Sequence, residues 1–330
     1  MTQQSDNSTA QAQAAAPEAP VIIGRSLWGD AFYRLRRDRS AVACFLVIMF
    51  FAAIAILGPH IYSNWAGQYD YANSYEAPSW QYPLGTDVLG RSVLQKTLLA
   101  ANTSMTVGLM SNIIAIPLGM ILGALAGYFG GWVDDVIVWL YNTLLAVPGI
   151  ILLVAIKFAF KGVVLFKGLS VPLFGHTYRP LLMDLDQGLS GMYIALGVMG
   201  WIGTCRLVRA ETMKIRELDY VLAARSVGSN SFMILFRHVL PNVLHLGIIQ
   251  FSLGFIGAIG AEVTLSYLGL GVGAGVPSWG SMINEARMNL VVGRWWEISA
   301  AVGAVFLLVL ALNIFGDRLR DAFDPRLRVA

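Results

Sequence analysis

DYVLAARSVGSNSFMILFRHVLPNV, residues 219–243, carries charge, small side chains and a proline between two long apolar runs. Its first half, about 215–227, has helical spacing and presents Ala223 and Ala224, whose small side chains let another surface approach the backbone closely. Gly228 follows where the end of a helix takes a left-handed residue. Ser229, Asn230 and Ser231 then offer N-cap oxygens for a second helix. On that helix Phe232, Phe236, Val239 and Leu240 share a face by spacing. Pro241 marks the start of the next apolar run, where its missing N–H costs little. Three readings of this helix–turn–helix stand open: docking to a cytoplasmic protein, an amphipathic helix lying on headgroups, and an ordinary connection between helices.

The rest of the chain decides its setting. Of 330 residues, 56% are hydrophobic and only 13% charged, about half the ~25% charge of a soluble domain. Abundant glycine suits helices that pack closely in lipid. An integral membrane protein is expected, and a net charge of +3 gives no ground for nucleic-acid binding. Cys44 and Cys205 both fall in apolar runs and form no disulfide framework; they read as small buried hydrophobes. His60, His176, His238 and His245 show no metal-ligand spacing, so no metal is expected. The first residues, MTQQSDNSTAQAQAAAPEAP, lack aromatics and read as a disordered tail. They have no basic stretch ahead of an apolar core, as a signal peptide would.

Six segments reach the roughly 20 apolar residues that a helix needs to cross about 30 Å of hydrocarbon. They are about 40–58, 103–127, 134–160, 189–209, 243–268 and 297–316, with a kink expected at Val147-Pro148 in the third. Basic residues collect in three places: Arg25, Arg34, Arg36, Arg37 and Arg39; then Arg206, Arg209, Lys214, Arg216, Arg225 and Arg237; then Arg318, Arg320, Arg326 and Arg328. These are 15 of the 23 basic residues, and with six spans all three groups share one side. The positive-inside rule makes that side the cytoplasm, with both termini and residues 219–243 in it.

Several motifs carry a family resemblance. AARSVGSNSFMILFRHVLP is similar to the EAA loop of ABC-importer permeases, with Ala223, Ala224, Gly228, Leu240 and Pro241 in register. Leu222 stands where that family often has Glu, and His238 where it often has Ile. PLGTDVLGRSVL (Pro83 to Leu94), AEVTLSYLGLGVGAGVPSWGSMI (Ala261 to Ile283) and GDRLRDAFDPRLR (Gly316 to Arg328) resemble three motifs of the dipeptide/oligopeptide branch. Over about residues 30–328 the chain most resembles the DppC/OppC-like subunit. The resemblance implies an all-α membrane protein with the six transmembrane helices of the type I importer permease fold and a cytoplasmic coupling helix. It divides the chain into a disordered tail (1–24), a basic arm (25–39), the first span (40–58), an outer loop (59–102), a permease core (103–316) with the EAA loop at 215–241, and a C-terminal tail (317–330).

It implies partners too: a homologous DppB/OppB-like permease, two DppD/DppF-like ABC ATPases, an extracytoplasmic substrate-binding protein, a peptide substrate and the lipid bilayer. ATP and Mg would belong to the ATPases. The chain has no Gly-Lys dipeptide and so no Walker A loop, and it is expected to be a non-catalytic permease binding no cofactor of its own. Leu222, Ala223, Ala224, Gly228, Phe232, Leu240 and Pro241 would form the ATPase-coupling surface. Polar residues within spans are costly and mark candidate pathway groups: Asn112, Asn142, Gln250 and Glu262, with interhelical bonding the alternative for the asparagines and a structural link for Glu262. In the outer motif Gly85, Thr86, Asp87, Gly90 and Arg91, a local Asp87–Arg91 ion pair or a helix cap competes with substrate guidance. Trp279 reads as an anchor or a packed turn residue. A stand-alone secondary transporter, which needs coupling-ion groups near mid-membrane, and a purely structural subunit are the rivals from other classes. Nickel, glutathione or antimicrobial peptides are alternative cargoes within the same family.

Overall fold

The computed structural model describes residues 27–62, 64–160, 171–173, 176–178, 189–273 and 275–323. The expected disordered tail, most of residues 161–188 and the end of the C-terminal tail lie outside the described residues. Among the described residues ten α-helices follow in chain order: α1 Leu27–Arg37, α2 Arg39–Ile61, α3 Val93–Phe129, α4 Gly131–Ala146, α5 Gly149–Ala159, α6 Ser190–Ile215, α7 Asp219–Ser226, α8 Ser231–Tyr267, α9 Trp279–Val291 and α10 Trp296–Phe323. A single antiparallel hairpin among the described residues, β1 Val171–Leu173 with β2 His176–Tyr178, leaves the all-α architecture unchanged.

Among the described residues five helices are long and apolar enough to cross a membrane: α2, α3, α6, α8 and α10. The sixth expected span, 134–160, is divided between α4 and α5, which meet at 99°. This is a break and not the expected kink. Pro148 has no N–H to continue α4, and it forces the preceding residue out of the helical region. Val147 (φ −88°, ψ 134°) and Pro148 (φ −53°, ψ 124°) are accordingly both extended.

Two spans are longer than their apolar runs suggested. α3 begins at Val93 under a Ser92 cap, ten residues before the expected start, and takes those residues from the outer loop. Its 37 residues would extend about 55 Å, well beyond the ~30 Å hydrocarbon layer. α8 likewise absorbs the second helix of the 219–243 stretch. Pro241 does not begin a new helix; it sits just past a π segment, Leu235–Val239, within continuous helix. There the Leu240 N–H reaches back five residues to the Leu235 carbonyl. The wider turn accommodates a proline whose ring would otherwise strike the carbonyl four residues back.

The centre of the molecule is the pairing of α3 with α6. Gly119, Gly123 and Gly127 lie along one face of α3, each against a carbonyl of α6, from Trp201, Cys205 and Arg209. A Cβ at any of the three would come within 2.6 Å of that oxygen. Such backbone approach is open only to the smallest side chains, and in lipid it is dispersion between closely packed helices that holds them. An Arg209–Asp134 ion pair ties α6 to α4, with Nη2–Oδ2 at 2.6 Å. α8 packs across α3 and α6, and α2, α9 and α10 close the other side around Phe51, Phe255, Trp279 and Leu308.

Candidate functional site

The α7–α8 elbow is anchored from within. Val221, Ile234, Leu235, Val239 and Val243 are all buried, against Ile116, Tyr128, Val208 and Ile215 from α3 and α6. Gly228 (φ +82°) makes the turn, with the Val227, Gly228 and Ser229 N–H groups donating to the Ala223, Arg225 and Ala224 carbonyls. Of the three cap candidates, Asn230 is the one that acts: its Oδ1 accepts from the Phe232 N–H at 2.9 Å.

The opposite face of the elbow is bare. Val227 is 86% exposed, Phe232 57% and Phe236 54%, and Leu222 and Ala223 are exposed beside them. The expected common face of Phe232, Phe236, Val239 and Leu240 is therefore split. Val239 turns into the core, Leu240 is half-buried, and the two phenylalanines point away, Phe232 resting 5.3 Å from the Phe129 ring. The two alanines divide in the same way, Ala223 outward and Ala224 half-buried against the core of its own chain. Pro241 is exposed.

A cavity of about 370 Å³ opens between α3, α6 and α8, with Leu153 of α5 at its edge. Its polar lining includes Asn112 and Gln250, two of the four pathway candidates, together with Ser111 and Thr204. Gly203 and Gly257 also line it, and nothing lies within 4 Å of where their Cβ atoms would be. Asn112 donates through Nδ2 to the Gly108 carbonyl at 2.7 Å, which leaves its Oδ1 beside Gly254. The other two candidates lie elsewhere. Asn142 is exposed on α4, beyond the break from α5. Glu262 is completely buried and accepts from Ser104 Oγ (2.9 Å) and Ser266 Oγ (2.8 Å), which links α8 to α3 and to the turn at its own end.

The outer motif is a structural clasp. Gly85 (φ +71°) and Gly90 (φ +73°) allow a tight loop, and a Cβ on Gly90 would lie 1.8 Å from the Asp70 carbonyl oxygen. Thr86 Oγ1 donates to the Asn73 carbonyl and accepts from the Glu76 N–H at 2.7 Å. Asp87 is buried, accepting from the Leu89 and Arg91 N–H groups and from Arg91 Nε, each at 2.9 Å. The ion pair anticipated from spacing is present, in a turn instead of along a helix. Its extension was not anticipated: buried Lys96 bonds Glu285 and Glu297 at 2.6 Å each and lies 3.8 Å from Asp87, joining the loop to α3, α9 and α10. Only the lone lysine at the head of an apolar run hinted at it. Trp279 is fully buried and donates to the Thr97 carbonyl at 3.1 Å, so it is a packed anchor. Trp296 does the same to the Thr86 carbonyl at 3.0 Å.

Residues 115–329 match the family model of the binding-protein-dependent transport system inner membrane component. Residues 26–78 match the N-terminal transmembrane domain of oligopeptide transport permease C. The glutathione transport system permease protein GsiD of Pectobacterium atrosepticum is 34% identical over 94% of this chain and 95% of its own. The dipeptide transport system permease protein DppC of Bacillus subtilis is 31% identical over 91% and 86%, and the oligopeptide permease OppC of the same organism 30% over 92% and 91%. Among solved structures, a chain from inward-facing MetNI methionine ABC transporter crystals aligns with 69% of this chain and 94% of its own, at TM-score 0.45 and 18% identity. The chain is a multi-pass membrane protein that belongs to the inner-membrane permease family of binding-protein-dependent ABC importers.

Proposed function

We propose that this chain forms half of the pathway of a peptide importer, and that its α7–α8 elbow takes up the motion of an ATPase subunit. One observation carries the reading. The elbow exposes Leu222, Val227, Phe232 and Phe236, while its inner face is packed onto α3 and α6, which with α8 surround the cavity. A push on the elbow would therefore reach the cavity walls through packed side chains. Ala223, Leu222, Val227, Phe232 and Phe236 supply the contact surface, Gly228 and Asn230 shape it, and Ala224 and Leu240 support it from behind.

ATP and Mg belong, in this reading, to two ABC ATPase subunits of the DppD/DppF kind. A DppB/OppB-like permease completes the pathway, a binding protein delivers cargo from outside, and both termini lie in the cytoplasm. The cargo class follows from the relatives named for dipeptides, oligopeptides and the tripeptide glutathione, which share amide backbones and free termini. A cavity lined by an asparagine, a glutamine, two hydroxyls and open glycines suits such a backbone, since neutral donors and acceptors can exchange for its water without demanding one side chain.

The test is Ala223→Glu in the complete assembly reconstituted in liposomes. A carboxylate forced unpaired into a packed contact costs several kcal/mol, so ATP-driven peptide uptake is expected to fall at least about tenfold with insertion unchanged. Wild-type uptake in that variant would remove the docking assignment. Gradient-driven uptake by the single purified chain would instead favour a secondary transporter.

A further inference from the structure

Away from the cavity lining, α1 folds back against the end of α10. Ala31 is buried with Leu319, Ala322 and Phe323. Between α1, the first turns of α2 and α10 runs a slot of about 250 Å³, walled by Phe32, Leu35, Val42, Phe45 and Phe315, with Arg36 at its rim. Phe32, Val42 and Phe45 are exposed, and the Phe45 and Phe315 rings stand 5.8 Å apart at its far end. The family assignment and the role of the elbow leave this slot without a purpose.

We propose that the slot binds one anionic phospholipid, with an acyl chain between the phenylalanines and the headgroup phosphate on Arg36. Its geometry follows the bilayer. Arg36 lies near the end of α1, just ahead of α2, a helix long and apolar enough to cross a membrane, and would stand at headgroup level. Phe45 is six residues into that helix, about 9 Å deeper, where acyl chains begin. Charge points the same way. Among the described residues Arg36 forms no ion pair, and Arg37 has only the Tyr33 hydroxyl, at 3.3 Å.

Asp38, the acid between α1 and α2, is already engaged. Asp38 accepts from the Ser40 and Ala41 N–H groups to cap α2, and pairs with Arg318 at 3.4 Å. The Ser40 hydroxyl on its carboxylate holds Asp38 below the usual aspartate range, so it stays charged and committed there. Covering Arg36 without a counter-charge would cost several kcal/mol. A phosphate at headgroup level supplies that charge, as basic pockets between transmembrane helices do.

The test is photocrosslinking to the purified full-length chain in detergent. The probes are phosphatidylglycerol and phosphatidylcholine bearing the same photoreactive acyl chain. Phosphatidylglycerol is expected to label the slot about fivefold more than phosphatidylcholine, the effect of one arginine near a phosphate. Arg36→Gln is expected to bring it to the phosphatidylcholine level, and Arg36→Lys to keep most of the preference. Val42→Trp, which fills the slot and leaves the charge, is expected to abolish labelling by both lipids at an unchanged unfolding midpoint. Equal labelling of the wild type by both lipids, or undiminished labelling of Val42→Trp, would overturn the proposal. So would labelling that arises only once residues 1–26 are deleted, which would make that segment the occupant.

Discussion

Lys96 shows how much one residue can hold. Its ammonium is buried between two carboxylates from helices nearly 200 positions later in the chain, Glu285 and Glu297. Glu297 is itself buried, whereas Glu285 can turn to solvent. Lys96→Met therefore leaves Glu297 as an unpaired buried charge, and a loss of about 3–5 kcal/mol is expected from removing one partner of such a pair. Adding Glu297→Gln should return a large part of it. Chemical denaturation of the two variants in detergent decides this, and a double variant as unstable as the single one would show that Lys96 acts by packing. Asn112 and Gln250 belong to the same scale: their cost within an apolar span was evident from composition, but that they share a cavity was not.

Among the elements, α3 and α6 carry the tightest demand. The glycines at 119, 123 and 127 recur every four residues, which puts them on one helix face, and that face is the one pressed against α6. Gly123→Val would set a Cβ 2.6 Å from the Cys205 carbonyl, and backbone cannot yield as a flexible side chain can. Overpacking of about 1–3 kcal/mol or more is expected, seen as a lower melting temperature and less monodisperse protein by size-exclusion chromatography. Gly203→Ala has nothing within 4 Å of its Cβ and is expected to be neutral or slightly stabilising, since alanine is the better helix former. If both variants melted alike, close approach would not be what these glycines provide. The π segment before Pro241 and the break at Pro148 are the same residue type met in two ways. α8 widens one turn within a packed helix, whereas at α4–α5 two consecutive extended residues divide the element.

For the whole molecule the question is which end faces which compartment. With Cys44 replaced by Ala and Cys205 fully buried, a cysteine at exposed Val227 should react with an impermeant maleimide only from the cytoplasmic side. One at Trp80, in the loop before α3, should react only from outside. The opposite pattern would reverse the orientation and with it the docking surface. The sequence by itself determined the membrane class, the rough positions of the apolar runs, the glycine turn at 228 and the family, because hydropathy, left-handed turns and contiguous motifs are local properties of a chain. Tertiary structure alone decided which of Ala223 and Ala224 faces outward, that Asn112 and Gln250 share a cavity while Asn142 and Glu262 do not, and that Asp87 extends through Lys96 to α9 and α10. Each of these depends on how helices distant in the chain are rotated and set against one another, and that arrangement is settled only when packing is complete.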